Sequence, residues 1–287
     1  MAGNLIGNLK YRSGLGLFLA IVSVFQPQSV VSGELKQARE IDPGEAFPEE
    51  GLEVIFEELL QRSYLRATED ASEAEESEVD DRLWAITPEN SDLIWLDERS
   101  SQVLMVTWTN WDGYEEFVGL PLELDRLVWV TPAPQVQRFC QNLNLDLNFD
   151  LPALTLRLEQ YLGLPPDNGK TKFVEFWVDP EDLFRPCPDA EIDDRSCQRQ
   201  FPESADLEHR RWIVEMMLSS YGVDGYPWTR LGYTYDWGNS QTEVGASEFT
   251  IASGSQVTVR SVQTTEEFCQ GRISPRPTDL RESGERP

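Results

Sequence analysis

The chain has 287 residues, with 51 Asp and Glu against 24 Lys and Arg, a formal charge of −27 and one histidine. Nucleic-acid binding runs on clustered Lys and Arg, so this balance excludes phosphate backbones as partners and disfavours anionic membrane surfaces. It suits solubility, divalent cations or basic partners.

The N-terminus reads as an export signal over residues 1–33. Lys10 and Arg12 form a basic start, Leu15 to Phe25 is an eleven-residue apolar run, and Val31-Ser32-Gly33 offers a small-residue exit. A run of that length falls short of the ~20 apolar residues that a spanning helix needs. An uncleaved membrane anchor is the alternative, because the exit lacks a clean A-x-A. Cleavage would remove two basic and no acidic side chains, leaving a charge of about −29. The expected location is therefore periplasmic or extracellular.

Residues 34–81 carry 17 acidic and 4 basic side chains. Within them Leu52 to Leu65 places Val54, Ile55, Leu59, Leu60 and Tyr64 near one face, which predicts an amphipathic helix. The flanks PGEAFPEEG and EDASEAEESEVDD are poor in apolar residues and are expected to be disordered.

A globular body is expected over 82–270. Period-two patterns predict strands at Arg82–Thr87, Asp92–Leu96, Gln102–Trp108 and Arg126–Thr131, the middle two as a hairpin. Pro134–Asn142 reads as a helix. Asp150 caps a second over LPALTLRLEQYLG, with Pro152 in its first turn and Gly163 at its end. Lys172–Val178 is a strand, Asp206–Tyr221 a helix, and Tyr226–Trp237, Glu248–Ala252 and Gln256–Val262 are strands. Strands and helices do not alternate strictly. The expected fold class is therefore α+β, a mostly antiparallel sheet with two to three packed helices, an acidic N-terminal extension and a loose tail over 271–287.

Cys140, Cys187, Cys197 and Cys269 form an even set, which in an exported chain implies disulfides in one of three pairings. Cys187–Cys197, closing a short loop flanked by prolines, and Cys140–Cys269, tying the middle of the chain to its end, are the favoured pair. Zinc is the alternative; no C-x2-C spacing and a lone His209 argue against it.

Two segments offer chemistry. If Tyr226–Trp237 is one strand, Leu231, Tyr233, Tyr235 and Trp237 share a core face, while Trp228, Arg230, Thr234 and Asp236 share the other. Trp228 would then be a stacking platform, with Arg230 and Asp236 supplying directional hydrogen bonds, as glycan-holding proteins do. The simpler reading pairs Arg230 with Asp236 as a salt bridge on the sheet surface. The second segment is the Cys187–Cys197 loop. Its Asp189, Glu191, Asp193 and Asp194 are the hard oxygen donors calcium takes, although the EF-hand glycine is missing. Otherwise it is a solvated acidic loop, and no cofactor is implied.

Catalytic constellations are thin. His209 stands beside Arg210 and Arg211 without a G-x-S-x-G context, and reads as a surface or half-buried helix residue. A carboxylate pair drawn from Asp236, Glu243 and Glu248 would suit a glycoside hydrolase. No phosphate-binding glycine loop occurs.

The run PWTRLGYTYDWGN, with DLFRPCPDAEI upstream and EVGASEF downstream, resembles an uncharacterised family of exported cyanobacterial proteins over roughly residues 126–269. The resemblance implies a cyanobacterial source and a periplasmic setting and carries no activity. The sequence thus leans toward a non-enzymatic binding or structural protein with a protein or glycan partner. A carbohydrate-active hydrolase using a carboxylate pair near 226–239 is the alternative.

Overall fold

The structure is a computed structural model of the chain and describes residues 49–143 and 150–271. The export signal over 1–33, the acidic stretch up to residue 48 and the tail beyond Gly271 lie outside the described residues.

In chain order the elements are α1 (Glu49–Ala71), β1 (Val103–Thr109), β2 (Pro121–Glu123), β3 (Val128–Pro132), α2 (Ala133–Asn142), α3 (Leu151–Tyr161), β4 (Lys172–Val178), β5 (Leu183–Phe184), α4 (Leu207–Ser220), β6 (Tyr233–Tyr235), β7 (Val244–Ser247), β8 (Phe249–Ile251), β9 (Gln256–Thr264) and α5 (Thr265–Gln270). One sheet runs β2-β9-β4-β1-β3-β8-β5, and β6 pairs with β7 in a small second sheet. Every pairing is antiparallel. The fold is α+β, as composition and element order imply.

The centre of the sheet is β1, and its neighbour β4 pairs with it from Val103↔Val178 to Thr109↔Lys172 and with β9 on the other side. Alternate residues of a strand point to opposite faces, and here both faces are covered. Val174, Phe176 and Val178 join Val103, Met105 and Phe249 in one core. Phe173 joins Leu104, Val106, Leu154, Leu158 and Phe268 in the other, under α2, α3 and α5. On the same face as Phe173 lies Glu175, which is buried and accepts hydrogen bonds from Arg260 and Ser261. A buried carboxylate is tolerated only when so paired.

The helix ends follow their sequence signals. Asp150 accepts from the Ala153 amide at 3.4 Å, and Asp206 from the His209 amide at 2.7 Å. Thr264 and Glu267 close a reciprocal capping box on α5, a helix beyond the expected strand Gln256–Val262 that the sequence reading did not predict. Cys140–Cys269 joins α2 to α5, and Cys187–Cys197 closes the acidic loop, the favoured pairing.

Four expectations are corrected. Arg82–Thr87 buries Leu83, Ala85 and Ile86 but forms no strand; its Leu83 and Ile86 amides bond the carbonyls of Arg195 and Ile192 in the disulfide loop. Asp92–Leu96 keeps the expected hairpin contacts, through a single bridge of Trp95 to Val103, without becoming a strand.

The stretch 69–81 is ordered against the body rather than loose. Its backbone carbonyls at Ser72, Ala74 and Glu78 accept from Arg230, Arg199 and the Tyr233 hydroxyl. The side chains of another part of the chain thus satisfy groups that the segment's own composition cannot. Upstream, α1 buries Tyr64, Ala67 and Ala71, whereas Val54, Ile55, Phe56 and Leu59 are each more than half exposed. Its docked end is therefore the C-terminal one.

Finally, Tyr226–Trp237 is no continuous strand. Arg230 (φ 58°) and Gly232 (φ 78°) take left-handed conformations, and Trp228 bridges back to Thr234. Gly232 is required there: a Cβ would lie 2.7 Å from the Arg185 Cδ.

Candidate ligand-binding cavity

The ladder between β1 and β3 pairs Met105 with Pro132 and Val106 with Thr131, and then stops. Its register would continue through Thr107 opposite Val130 and Trp108 opposite Trp129. Instead β1 stays with β4, Trp108 opposite Phe173, while β3 stays with β8, Val130 opposite Phe249. The sheet splits at this point, and a cavity of about 370 Å³ opens at the split. Such a volume lies in the range of small-molecule sites, ~300–1,000 Å³.

Trp108, Trp129, Trp228 and Phe173 line the cavity, with Met216 of α4. The Trp108 indole N–H donates to Thr265 Oγ1 at 3.0 Å and that of Trp228 to the Pro186 carbonyl at 3.1 Å. Both rings are thereby fixed by bonds to the surrounding protein. Trp129 meets Trp228 edge to face at 6.1 Å, and Trp212 of α4 packs against both. Gly163 (φ 64°), the glycine that ends α3, also lines the cavity; a Cβ there would press within 3.2 Å of the Tyr235 amide.

One carboxyl and one amine share this aromatic lining, Glu248 and Lys170. Glu248 sits where the chain crosses from β7 to β8, its amide bonded to the Gly232 carbonyl at 2.9 Å. Its Oε2 is inaccessible to solvent and has no hydrogen-bond partner. Burial alone pushes its carboxyl up to about 8. Lys170 precedes β4, and burial lowers its ammonium below the ordinary lysine range. Neither forms an ion pair among the described residues, with the other or with any third group.

Below pH ~4.5 the Glu248 carboxyl is protonated folded and unfolded, and contributes nothing to the pH dependence. Between there and pH 8 the unfolded chain ionises while the folded chain holds its proton, so stability falls as pH rises. Glu248→Gln cannot ionise. It is expected to match the parent near pH 4.5 and to exceed it at pH 8 by on the order of 2 kcal/mol, since residual exposure relieves part of the penalty. Urea melts of both proteins across that window check this; a pH-independent difference would refute it.

The residues singled out in the sequence are dispersed. Trp228 reaches the cavity, but as a buried wall rather than an open platform. Arg230 points away to the extension: Nη2 donates to the Ser72 carbonyl at 2.7 Å, and the guanidinium lies over the Tyr221 ring. It does not pair with Asp236. That carboxylate is buried and held by both Arg157 Nη atoms, at 2.8 and 2.6 Å. The surface salt bridge between Arg230 and Asp236 is thus replaced by a buried one to Arg157. Asp236 and Glu243 line a second, more open hollow together with Asp70, while Glu248 lines the first, so the three candidate acids are divided between two cavities.

The acidic loop is organised around a protein cation. Arg185, fully buried, donates Nε to the Glu191 carbonyl and Nη2 to the Asp194 carbonyl, and its guanidinium lies 3.6 Å from the Asp194 carboxylate. Asp189, Glu191, Asp193 and Asp194 do not converge on a point. Among the described residues no group of three or more His, Cys, Asp or Glu has a metal-holding arrangement. His209 is half-buried on α4, its Nε2 at 2.8 Å from the Cys187 carbonyl.

Sequence reasoning missed Lys170, Trp108 and Trp129 as site residues, and weighed Glu248 only as a hydrolase acid. The termination of the β1–β3 ladder brings them together, and a register break leaves no local pattern. No protein-family model matches the chain, nor does any curated protein or solved structure.

Proposed function

We propose that this protein is an exported, non-enzymatic binding protein that holds a small, largely apolar ligand in the cavity at the β1–β3 split. The observation that carries this reading is the cavity itself, about 370 Å³ walled by three tryptophans and a phenylalanine, with an unpartnered carboxyl oxygen on Glu248. Aromatic walls supply apolar area at low entropic cost, and a few polar groups set orientation. Two disulfides support an oxidising compartment. With the apolar run at 15–25 they support a periplasmic or extracellular place of work, in the cyanobacterial setting that the motif resemblance suggests. Among the described residues no helix is long and apolar enough to cross a membrane.

Binding is favoured over glycoside hydrolysis on one specific ground. Hydrolysis needs two free carboxyl groups facing one another at ~5–10 Å. Both Asp236 oxygens are engaged by Arg157, and among the described residues Glu248 is the only Asp or Glu lining the tryptophan cavity.

Thr107→Phe tests the reading. Thr107 lines the cavity on β1, where an aromatic side chain suits the strand and fills the space. Calorimetric titration with indole is expected to show saturable binding to the parent, weakened at least tenfold in Thr107→Phe, with both proteins melting cooperatively. Equal affinity in the two would place the site elsewhere. An absence of binding to the parent would remove the reading.

A further inference from the structure

The cavity carries one carboxyl, Glu248, and one amine, Lys170, and neither has an ion-pair partner among the described residues. Removing a charge from water is costly unless an opposite charge or hydrogen bonds replace the lost solvation, so buried ionisable groups are ordinarily paired. This protein observes that rule elsewhere, with Asp236 on Arg157, Glu175 on Arg260 and Arg185 in the carbonyls of the disulfide loop. Glu248 departs from it at the cavity, where its Oε2 is buried without a partner, and Lys170, half-buried in the same lining, forms no ion pair among the described residues.

Their places in the sheet explain why they do not neutralise each other. Across the split the strand order is β4-β1-β3-β8. Lys170 lies just before β4, and Glu248 just before β8. The two charges therefore flank the split from opposite sides, with the aromatic wall between them. Neighbouring strands stand ~4.8 Å apart, so the flanking strands are about 14 Å apart or more, and two side chains reaching inward leave room for a small molecule between their ends.

A ligand complementary to this lining has a cationic or N–H donor end for Glu248, an anionic end for Lys170 and an apolar body for the tryptophans. Resting on the binding reading above, we infer that the ligand is a small zwitterion with an apolar side group, of the amino-acid or dipeptide kind. Its ammonium would meet the Glu248 carboxylate and its carboxylate the Lys170 ammonium. Each end would restore a pairing that folding leaves open, and the indole rings beside the ammonium would add cation–π attraction. Binding would also ionise Glu248, with release of its proton to solvent.

The test is a titration panel on the wild-type chain. Phenylalanine and leucyl-phenylalanine carry both charges, phenethylamine only the cation, 3-phenylpropionate only the anion, and N-acetylphenylalanine amide neither. At least one zwitterion is expected to bind tenfold or more tighter than all three of the others. Glu248→Gln should erase its advantage over 3-phenylpropionate, and Lys170→Gln its advantage over phenethylamine. If singly charged or neutral compounds bind as tightly as the zwitterions, the inference is overturned and the cavity remains a binding site. If indole binds and no zwitterion does, the inference fails alone. If neither indole nor any panel member binds, it falls together with the function proposed above.

Discussion

Replacing Cys140 and Cys269 by alanine is expected to lower the unfolding free energy by ~5 kcal/mol, the largest effect of any change to one contact in this chain. The bond spans a sequence separation of 129 residues, against 10 for Cys187–Cys197. Closing a loop restricts the unfolded chain by an amount that grows with the logarithm of its length, so the shorter bridge should contribute only ~3 kcal/mol. The folded contacts around the long bridge survive its removal. Gln137 Nε2 still donates to the Phe268 carbonyl at 2.9 Å, and Phe268 still stacks on Phe173 at 4.2 Å. The change therefore acts mainly on the unfolded state. Urea melts should show a steeper dependence on denaturant in the double variant, because an uncrosslinked chain exposes more surface. A loss under ~2 kcal/mol with an unchanged slope would refute this account.

The features legible in the sequence are those set by local rules. The strand at Lys172–Val178 shows in its run of β-branched and aromatic residues, and the helices over 133–142, 151–161 and 207–220 show in their caps and period. Of the three pairings the four cysteines allow, the favoured one is the one formed. What failed was extrapolation of a period through residues whose conformation breaks it. The faces assigned to Tyr226–Trp237 assumed extended backbone throughout, whereas Arg230 and Gly232 turn the chain back so that Trp228 opposes Thr234. Both supposed faces are consequently buried at Leu231, Tyr233, Thr234 and Asp236.

The acidic stretch 69–81 failed for a related reason. Composition reports whether a segment can bury its own surface, and this one is held by arginine and tyrosine side chains reaching its carbonyls from more than 120 residues away. The cavity was the least legible feature. Trp108, Lys170 and Glu248 come from three separate strands or their ends, and only the unpaired stretch between β1 and β3 makes them neighbours.

The buried pair of Arg157 and Asp236 should be the next most sensitive point. Arg157 reaches from α3 to the carboxylate just beyond β6, and its guanidinium also lies 4.8 Å from the Phe139 ring, which stacks on Tyr161. The two ends differ in exposure: 23% of the Arg157 side chain is accessible and 2% of that of Asp236. Losing the cation strands a carboxylate with the Gly238 amide as its remaining partner, at 3.2 Å, whereas losing the carboxylate leaves a guanidinium that still reaches water. Arg157→Met is therefore expected to cost ~3–5 kcal/mol and Asp236→Asn distinctly less, an asymmetry that follows from which charge is left unpaired. Combining Arg157→Met with Asp236→Leu should recover part of the single-site loss, since an apolar pair carries no desolvation penalty. Denaturant melts of these variants, and of Asp236→Leu alone to close the cycle, measure it. Equal losses for the two single variants, or strict additivity in the double, would show that the pair does not act as a coupled buried charge.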